Sequence, residues 1–232
     1  MTETAARQPR LATDRRQLLA GGAALAALAT AVQLIGPAHA QRRSSGPAEV
    51  PVEDLMKTVD GLADVALGPA EAKVVVVEYA SMTCGHCAAF HKEVFPQIKT
   101  KYIDTNKIRF IMREFPLDNL AAAASMLARC APAEKVYPMV DMLFATQADW
   151  AFAQGNPVPK LFEIAKQAGF TQDSFDKCLT NQKLLDQINM QRTRGSEQFG
   201  VSATPSFFIN GKKLQAGPTL AAFEEMIDPL LK

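Results

Sequence analysis

Two cysteines stand three residues apart in Cys84-Gly85-His86-Cys87, with an imidazole between them. Two sulfurs at this spacing can make and break a disulfide with each other, or they can hold a metal. Zinc sites of this spacing ordinarily need a second pair. The other cysteines, Cys130 and Cys178, are each solitary, and His91 would complete a set of only three ligands. Covalent haem attachment needs His directly after the second Cys, and position 88 is Ala. Neither metal nor cofactor is expected, and reversible thiol–disulfide exchange is the chemistry these residues favour.

The flanking residues must position that pair. Lys73 to Ala80 carries four consecutive valines, Val74 to Val77, and reads as a buried central strand. After the cysteines, Phe90, Val94, Ile98 and Tyr102 recur every four residues, which predicts a helix over 85–102 with a kink at Pro96. The cysteines therefore fall at a strand-to-helix junction, in the first helical turn. Free N–H groups and the helix dipole there favour negative charge, so Cys84 is expected to be an exposed, acidic thiol and Cys87 a covered one. Glu78 lies in the strand six residues before Cys84, among apolar neighbours. It reads either as a solvent-facing strand carboxylate or as a buried acid beside the cysteines. Far downstream, Thr204-Pro205 leads into a short strand, Ser206 to Ile209, closed by an Asn210-Gly211 turn.

Cys-x-x-Cys after a strand, with Thr-Pro before a later strand, resembles the thioredoxin superfamily. Glu78-Tyr-Ala-Ser-Met-Thr-Cys84 and Arg113-Glu-Phe-Pro-Leu117 more narrowly resemble the DsbA-like secreted thiol–disulfide oxidoreductases. The resemblance covers residues 62–232. It implies an α/β thioredoxin fold, a central mixed sheet flanked by helices, built from 62–117 and 195–232 and interrupted by an all-helical insertion over 118–194. It implies a catalytic set of Cys84, Gly85, His86, Cys87 and Glu78. In that set Glu78 is a buried acid, raised by desolvation, that exchanges a proton with Cys87. His86 stabilises the Cys84 thiolate through its charge or its ring N–H. Thr204 and Pro205 face the cysteines and offer backbone to an extended client.

The helical stretch divides by its own signals. Asn119 to Cys130 is Ala-rich, and Ala133 to Trp150 carries Val136, Val140, Leu143 and Phe144 at helical spacing. Pro159 opens a segment that Gly169 stops, Thr171 is an N-cap signal, and Pro218 suits the first position of a last helix. His91 is expected at the surface or rim. Some of Met82, Met139, Met142 and Trp150 are candidates for an exposed apolar patch that meets unfolded clients. Arg113 and Glu114 are expected to make an ion pair or strand-end contact. Cys130 and Cys178 both fall in the insertion. In an oxidising compartment they are expected to form a structural disulfide, the alternative being two separately buried thiols.

The compartment follows from residues 1–40. Thr13-Asp-Arg15-Arg16-Gln-Leu-Leu19 is a basic region similar to a twin-arginine motif, Leu18 to Ile35 is apolar, and Ala38-His-Ala40 is a cleavage site. A permanent anchor is the alternative. Cleavage after Ala40 leaves a flexible lead-in over 41–61 and a periplasmic chain, where disulfides persist. The 25 basic and 24 acidic residues of the whole chain include four Arg and two acids in the leader, so the remainder carries 21 and 22, a net charge of −1. No basic surface points to nucleic acid. The expected partners are unfolded or folding secreted proteins with free cysteines and a membrane quinone-linked oxidase that restores the disulfide. The short lead-in points to a monomer. Two other readings start from the same residues: an isomerase or reductase kept reduced by a membrane electron donor, and a thioredoxin-like metal-handling module.

Overall fold

The structure is a computed structural model that describes residues 47–232. The expected export signal over 1–40 and the start of the lead-in lie outside the described residues. In chain order the first part holds α1 (Val52–Met56), β1 (Val65–Leu67), β2 (Val74–Ala80), α2 (Gly85–Glu93), α3 (Phe95–Ile98), a π-helical turn (Lys99–Ile103) and β3 (Ile108–Glu114). A run of helices follows: α4 (Asn119–Cys130), α5 (Val136–Ala145), α6 (Gln147–Trp150), α7 (Val158–Gln167), α8 (Gln172–Leu179) and α9 (Gln182–Phe199). The chain then returns to the sheet with β4 (Ser206–Ile209) and β5 (Lys212–Lys213), followed by α10 (Leu220–Ile227) and a 3-10 turn (Asp228–Leu231).

The sheet order is β1-β3-β2-β4-β5. β2 pairs parallel with β3 and antiparallel with β4, which makes the sheet mixed and puts β2 at its centre. A strand covered on both faces must be apolar on both. Val76, Glu78 and Ala80 alternate with Val77 and Tyr79. The first face carries the larger core, with Phe90, Ile98, Phe110 and Phe207. The second packs Val77 and Tyr79 against Ile111, Phe115, Phe199 and Phe208. Glu78 is thereby a carboxylate of β2 set in the face toward α2, in register with Met112 and Phe207.

The helix expected over 85–102 is broken into α2, α3 and the π turn. Pro96 has no N–H to give to the carbonyl four residues back, so the helix cannot run straight through it, and Val94 ends α2 with φ −105° and ψ −46°. The helical run also continues past the expected boundary at 194. Nothing stops α9 before Gly200, whose left-handed φ of 63° ends it. Gly195 sits inside α9 because a Cβ there would lie 2.9 Å from the Tyr79 ring, so this glycine is a contact between helix and sheet rather than a break. Pro218 is not the first residue of the last helix. Thr219 takes the N-cap by accepting from Ala222 N–H, a role for which a hydroxyl is suited.

Arg113 and Glu114 make two separate buried pairs. Arg113 Nε and Nη2 donate to Asp64 at 2.8 and 2.9 Å, and Arg129 Nε donates to Glu114 at 2.5 Å. Met82, Met139 and Trp150 are buried and Met142 is half-buried, so the expected client patch is core. The side chains face inward between the insertion and the sheet, and exposed apolar groups fall instead at Leu117, Phe152 and Met190.

Cys130 at the end of α4 and Cys178 in α8 are joined in a disulfide that closes a separation of 48 residues. A cross-link of that span restricts the unfolded chain by about 4 kcal/mol. The double variant Cys130→Ala/Cys178→Ala is therefore expected to lose about 4 kcal/mol of stability in denaturant unfolding. A loss near zero would mean that the bond adds nothing to the fold.

Candidate active site

Cys84 is the N-cap of α2, with an extended backbone (φ −81°, ψ 116°). Its sulfur makes no capping hydrogen bond, but the nearby backbone N–H groups of Cys87 and His86 help lower its pKa. Three separate contacts hold the residue there. Gln147 of α6 donates from Nε2 to the carbonyls of Met82 and Cys84 at 2.8 and 3.0 Å. Thr83 donates to Asp118 Oδ2 at 2.7 Å, and the other oxygen of Asp118 caps α4 through Ala121 N–H. Across the groove, Thr204 precedes Pro205 through a cis peptide bond, and the Cys84 thiol donates to the Thr204 carbonyl at 3.2 Å.

The two thiols behave in opposite ways. The Cys87 thiol, hydrogen-bonded to the Cys84 sulfur, is the largest influence on Cys84. Burial works against it, and the N–H groups of Cys87 and His86 add to the pull, bringing Cys84 from 9.0 down to about 5. Burial pushes Cys87 far above the ordinary thiol range, and its bond to Cys84 and the charge of Glu78 push it the same way. Cys84 is 8% exposed against 0% for Cys87. Cys84 is more enclosed than the sequence suggests, with Gln147 and the Thr204 loop against it.

Glu78 is fully buried. Its Oε2 lies 2.9 Å from His91 Nε2, and its Oε1 has no protein partner. The expected surface position of His91 is therefore wrong. His91 lies one turn beyond Cys87 on the same side of α2, and α5 packs over that side, stacking the Phe144 ring on the imidazole at 4.3 Å. Burying a carboxylate costs several kcal/mol, and a neighbour that leaves one oxygen unpartnered does not offset it. Glu78 is thus a buried acid with one oxygen unpartnered, near enough to Cys87 for its charge to oppose that thiol's ionisation. His86 is exposed, and among the described hydrogen bonds none joins its ring to Cys84; its backbone N–H is one of the groups that lower the Cys84 thiol.

The structure thus brings together Cys84, Gly85, His86, Cys87, Glu78, Thr204 and Pro205. It adds Gln147, Asp118 and His91, which sequence reasoning did not place at the site. Asp118 was legible as a helix N-cap. Gln147 carried no signal, since a glutamine in a helix is ordinarily solvent-facing.

Comparison with known proteins agrees with this geometry. The family described as Thioredoxin matches residues 61–229. A Rickettsia bellii protein named "Putative protein-disulfide oxidoreductase" is 37% identical over 150 residues, covering 64% of this chain and 57% of its own length. A Rickettsia conorii relative of the same description is 35% identical over 176 residues, covering 74% of this chain and 61% of its own. The chain thus spans about three-fifths of the length of these curated relatives. The crystal structure of Wolbachia pipientis alpha-DsbA1 superimposes with a TM-score of 0.71 at 33% identity, covering 78% of this chain and 96% of that one. The chain belongs to the thioredoxin superfamily and, within it, to the DsbA-like thiol–disulfide oxidoreductases.

The low value at Cys84 makes a stability prediction with a definite sign. A thiol that ionises at about 5 folded and at 9.0 unfolded stabilises the reduced fold above the unfolded value, and that contribution is lost as pH falls through the folded one. The reduced protein, measured against the oxidised protein by denaturant unfolding, is expected to gain stability as pH rises from about 5 toward 9. Thiolate absorbance should titrate with a midpoint near 5, and Cys87→Ala should move that midpoint up. A midpoint in the ordinary thiol range would contradict the site as described.

Proposed function

We propose that this chain is an exported thiol–disulfide oxidoreductase that donates its Cys84–Cys87 disulfide to folding secreted proteins. The observation that carries the reading is the divergence of the two thiols, with Cys84 lowered to about 5 and Cys87 raised. In the donating direction, a client thiolate attacks Cys84 Sγ, the Cys84–Cys87 bond breaks, and Cys87 leaves and takes a proton from Glu78. The client's second thiol then attacks its own sulfur and expels Cys84. A thiolate stable at low pH is a good leaving group, so this second displacement is fast, and stabilising the reduced pair makes the disulfide a stronger oxidant.

The groove between Cys84 and Thr204 supplies the rest. Backbone next to the Thr204–Pro205 bond can pair with an extended client by main-chain hydrogen bonds, which read shape rather than side chains. That suits many clients. The twin-arginine-like leader and the Cys130–Cys178 disulfide support a periplasmic location. In that compartment a membrane quinone-linked oxidase would restore the disulfide, the protein itself working as a monomer. A second reading has its own support: a Novosphingobium aromaticivorans chain described as a protein-disulfide isomerase superimposes with a TM-score of 0.63 at 26% identity. Under that reading a membrane electron donor keeps the pair reduced.

The redox state in the cell separates the two. Cells are acid-quenched, free thiols are alkylated with a bulky reagent, and the shift is read on a gel. Cys84 and Cys87 are expected to be oxidised at steady state; a reduced pair would replace the donor reading with the isomerase or reductase. Cys84→Ser should abolish disulfide transfer to a reduced client, and transfer that persists would refute Cys84 as the reacting sulfur.

A further inference from the structure

His91 is a buried titratable group beside the cysteines that disulfide exchange, as described above, does not use. Its side chain is 2% exposed. One ring nitrogen meets Glu78 Oε2, while Nδ1 is buried with no protein partner, as is Glu78 Oε1. Leaving buried polar atoms unpaired is unfavourable, and here two of them sit at opposite ends of one hydrogen-bonded pair. His91 also stands in the wall of a cavity of about 380 Å³ between α2, α3 and α5. Phe95, Pro96 and Phe144 form its apolar side, and Lys92, Lys99 and Asp141 bring charge to it. Besides Cys87, Tyr137 of α5 is a titratable group near Glu78, its hydroxyl also unpartnered.

We propose that His91 is a relay residue that carries protons between Glu78 and solvent entering this cavity, so that the proton of Cys87 leaves by the α2–α5 face instead of through the client groove. The inference rests on Glu78 being the acceptor for Cys87. When reduced protein is reoxidised, Cys87 attacks the Cys84 mixed disulfide. The Cys87 proton enters the pair at Glu78 Oε1, the proton between Oε2 and Nε2 stays in its hydrogen bond, and the Nδ1 proton leaves to water. The pair's proton count is unchanged, the Cys84–Cys87 bond forms, and the partner thiolate departs. The cavity keeps this path open while a client covers the groove.

Reduced protein mixed with glutathione disulfide tests this. The second-order rate at low concentration reports attack by Cys84, and the plateau at high concentration reports attack by Cys87 with loss of its proton. His91→Gln keeps an N–H toward Glu78 but cannot pass a proton. It should leave the second-order rate unchanged and lower the plateau about tenfold or more. In His91→Ala, added imidazole should raise the lowered plateau in proportion to its concentration. A wild-type plateau in His91→Gln beside a lowered one in Glu78→Gln overturns the relay alone, and wild-type plateaus in both overturn the role of Glu78 as well. If the His91 variants do not fold, Ala145→Phe at the exposed edge of the cavity keeps the pair and narrows its access. A lowered plateau in it supports the relay, and an unchanged one overturns it.

Discussion

The negative charge that Cys84 can hold at the start of α2 is the interaction on which the rest of the site depends. A thiolate in a nearly closed groove would ordinarily be disfavoured, because burial penalises charge. Here the Cys87 thiol and the first N–H groups of the helix outweigh that penalty. The residue is held by different parts of the chain. α2 provides the N–H groups and Cys87, the loop before β4 provides the Thr204 carbonyl that accepts from the thiol, and the insertion provides Gln147, which pins the Met82–Cys84 turn. The helical insertion thus forms part of the site's wall and does more than decorate the fold.

The same arrangement separates the two sulfurs by environment and not by residue type. Cys84 keeps a small exposed face at the groove and is stabilised as an anion. Cys87 is buried one turn deeper, next to a carboxylate whose charge opposes its ionisation. A pair of thiols pushed in opposite directions assigns the roles of attacking and resolving sulfur. Glu78 could occupy its place only because β2 is covered on both faces, and α5 completes the enclosure by laying Phe144 on His91.

Much of this was legible in the residues. The valine run, the cysteine spacing and the Thr-Pro before a short strand locate the sheet and the groove, since they are local signals of period and turn chemistry. Thr171 caps a helix as its side chain suggests. What failed was tertiary. His91, Met82 and Trp150 occupy positions whose exposure depends on which helix packs over them, and a helical pattern does not say where its helix docks. The reach of α9 past Gly195 is of the same kind, because a glycine that ends a helix and a glycine that admits a neighbouring ring look alike in sequence. Gln147 had no local signature, for its partners are backbone carbonyls more than sixty residues away.

The measurement that bears most directly on the stabilised Cys84 thiolate is the reduction potential of the Cys84–Cys87 pair, read by equilibrating the protein with defined glutathione mixtures and quantifying the reduced fraction. If the thiolate is held as described, the reduced form is favoured and the potential falls between roughly −180 and −120 mV, the range of strong protein oxidants. A potential near −270 mV, that of a reductant such as thioredoxin, would show that the contacts at Cys84 do not stabilise the thiolate and would contradict the account.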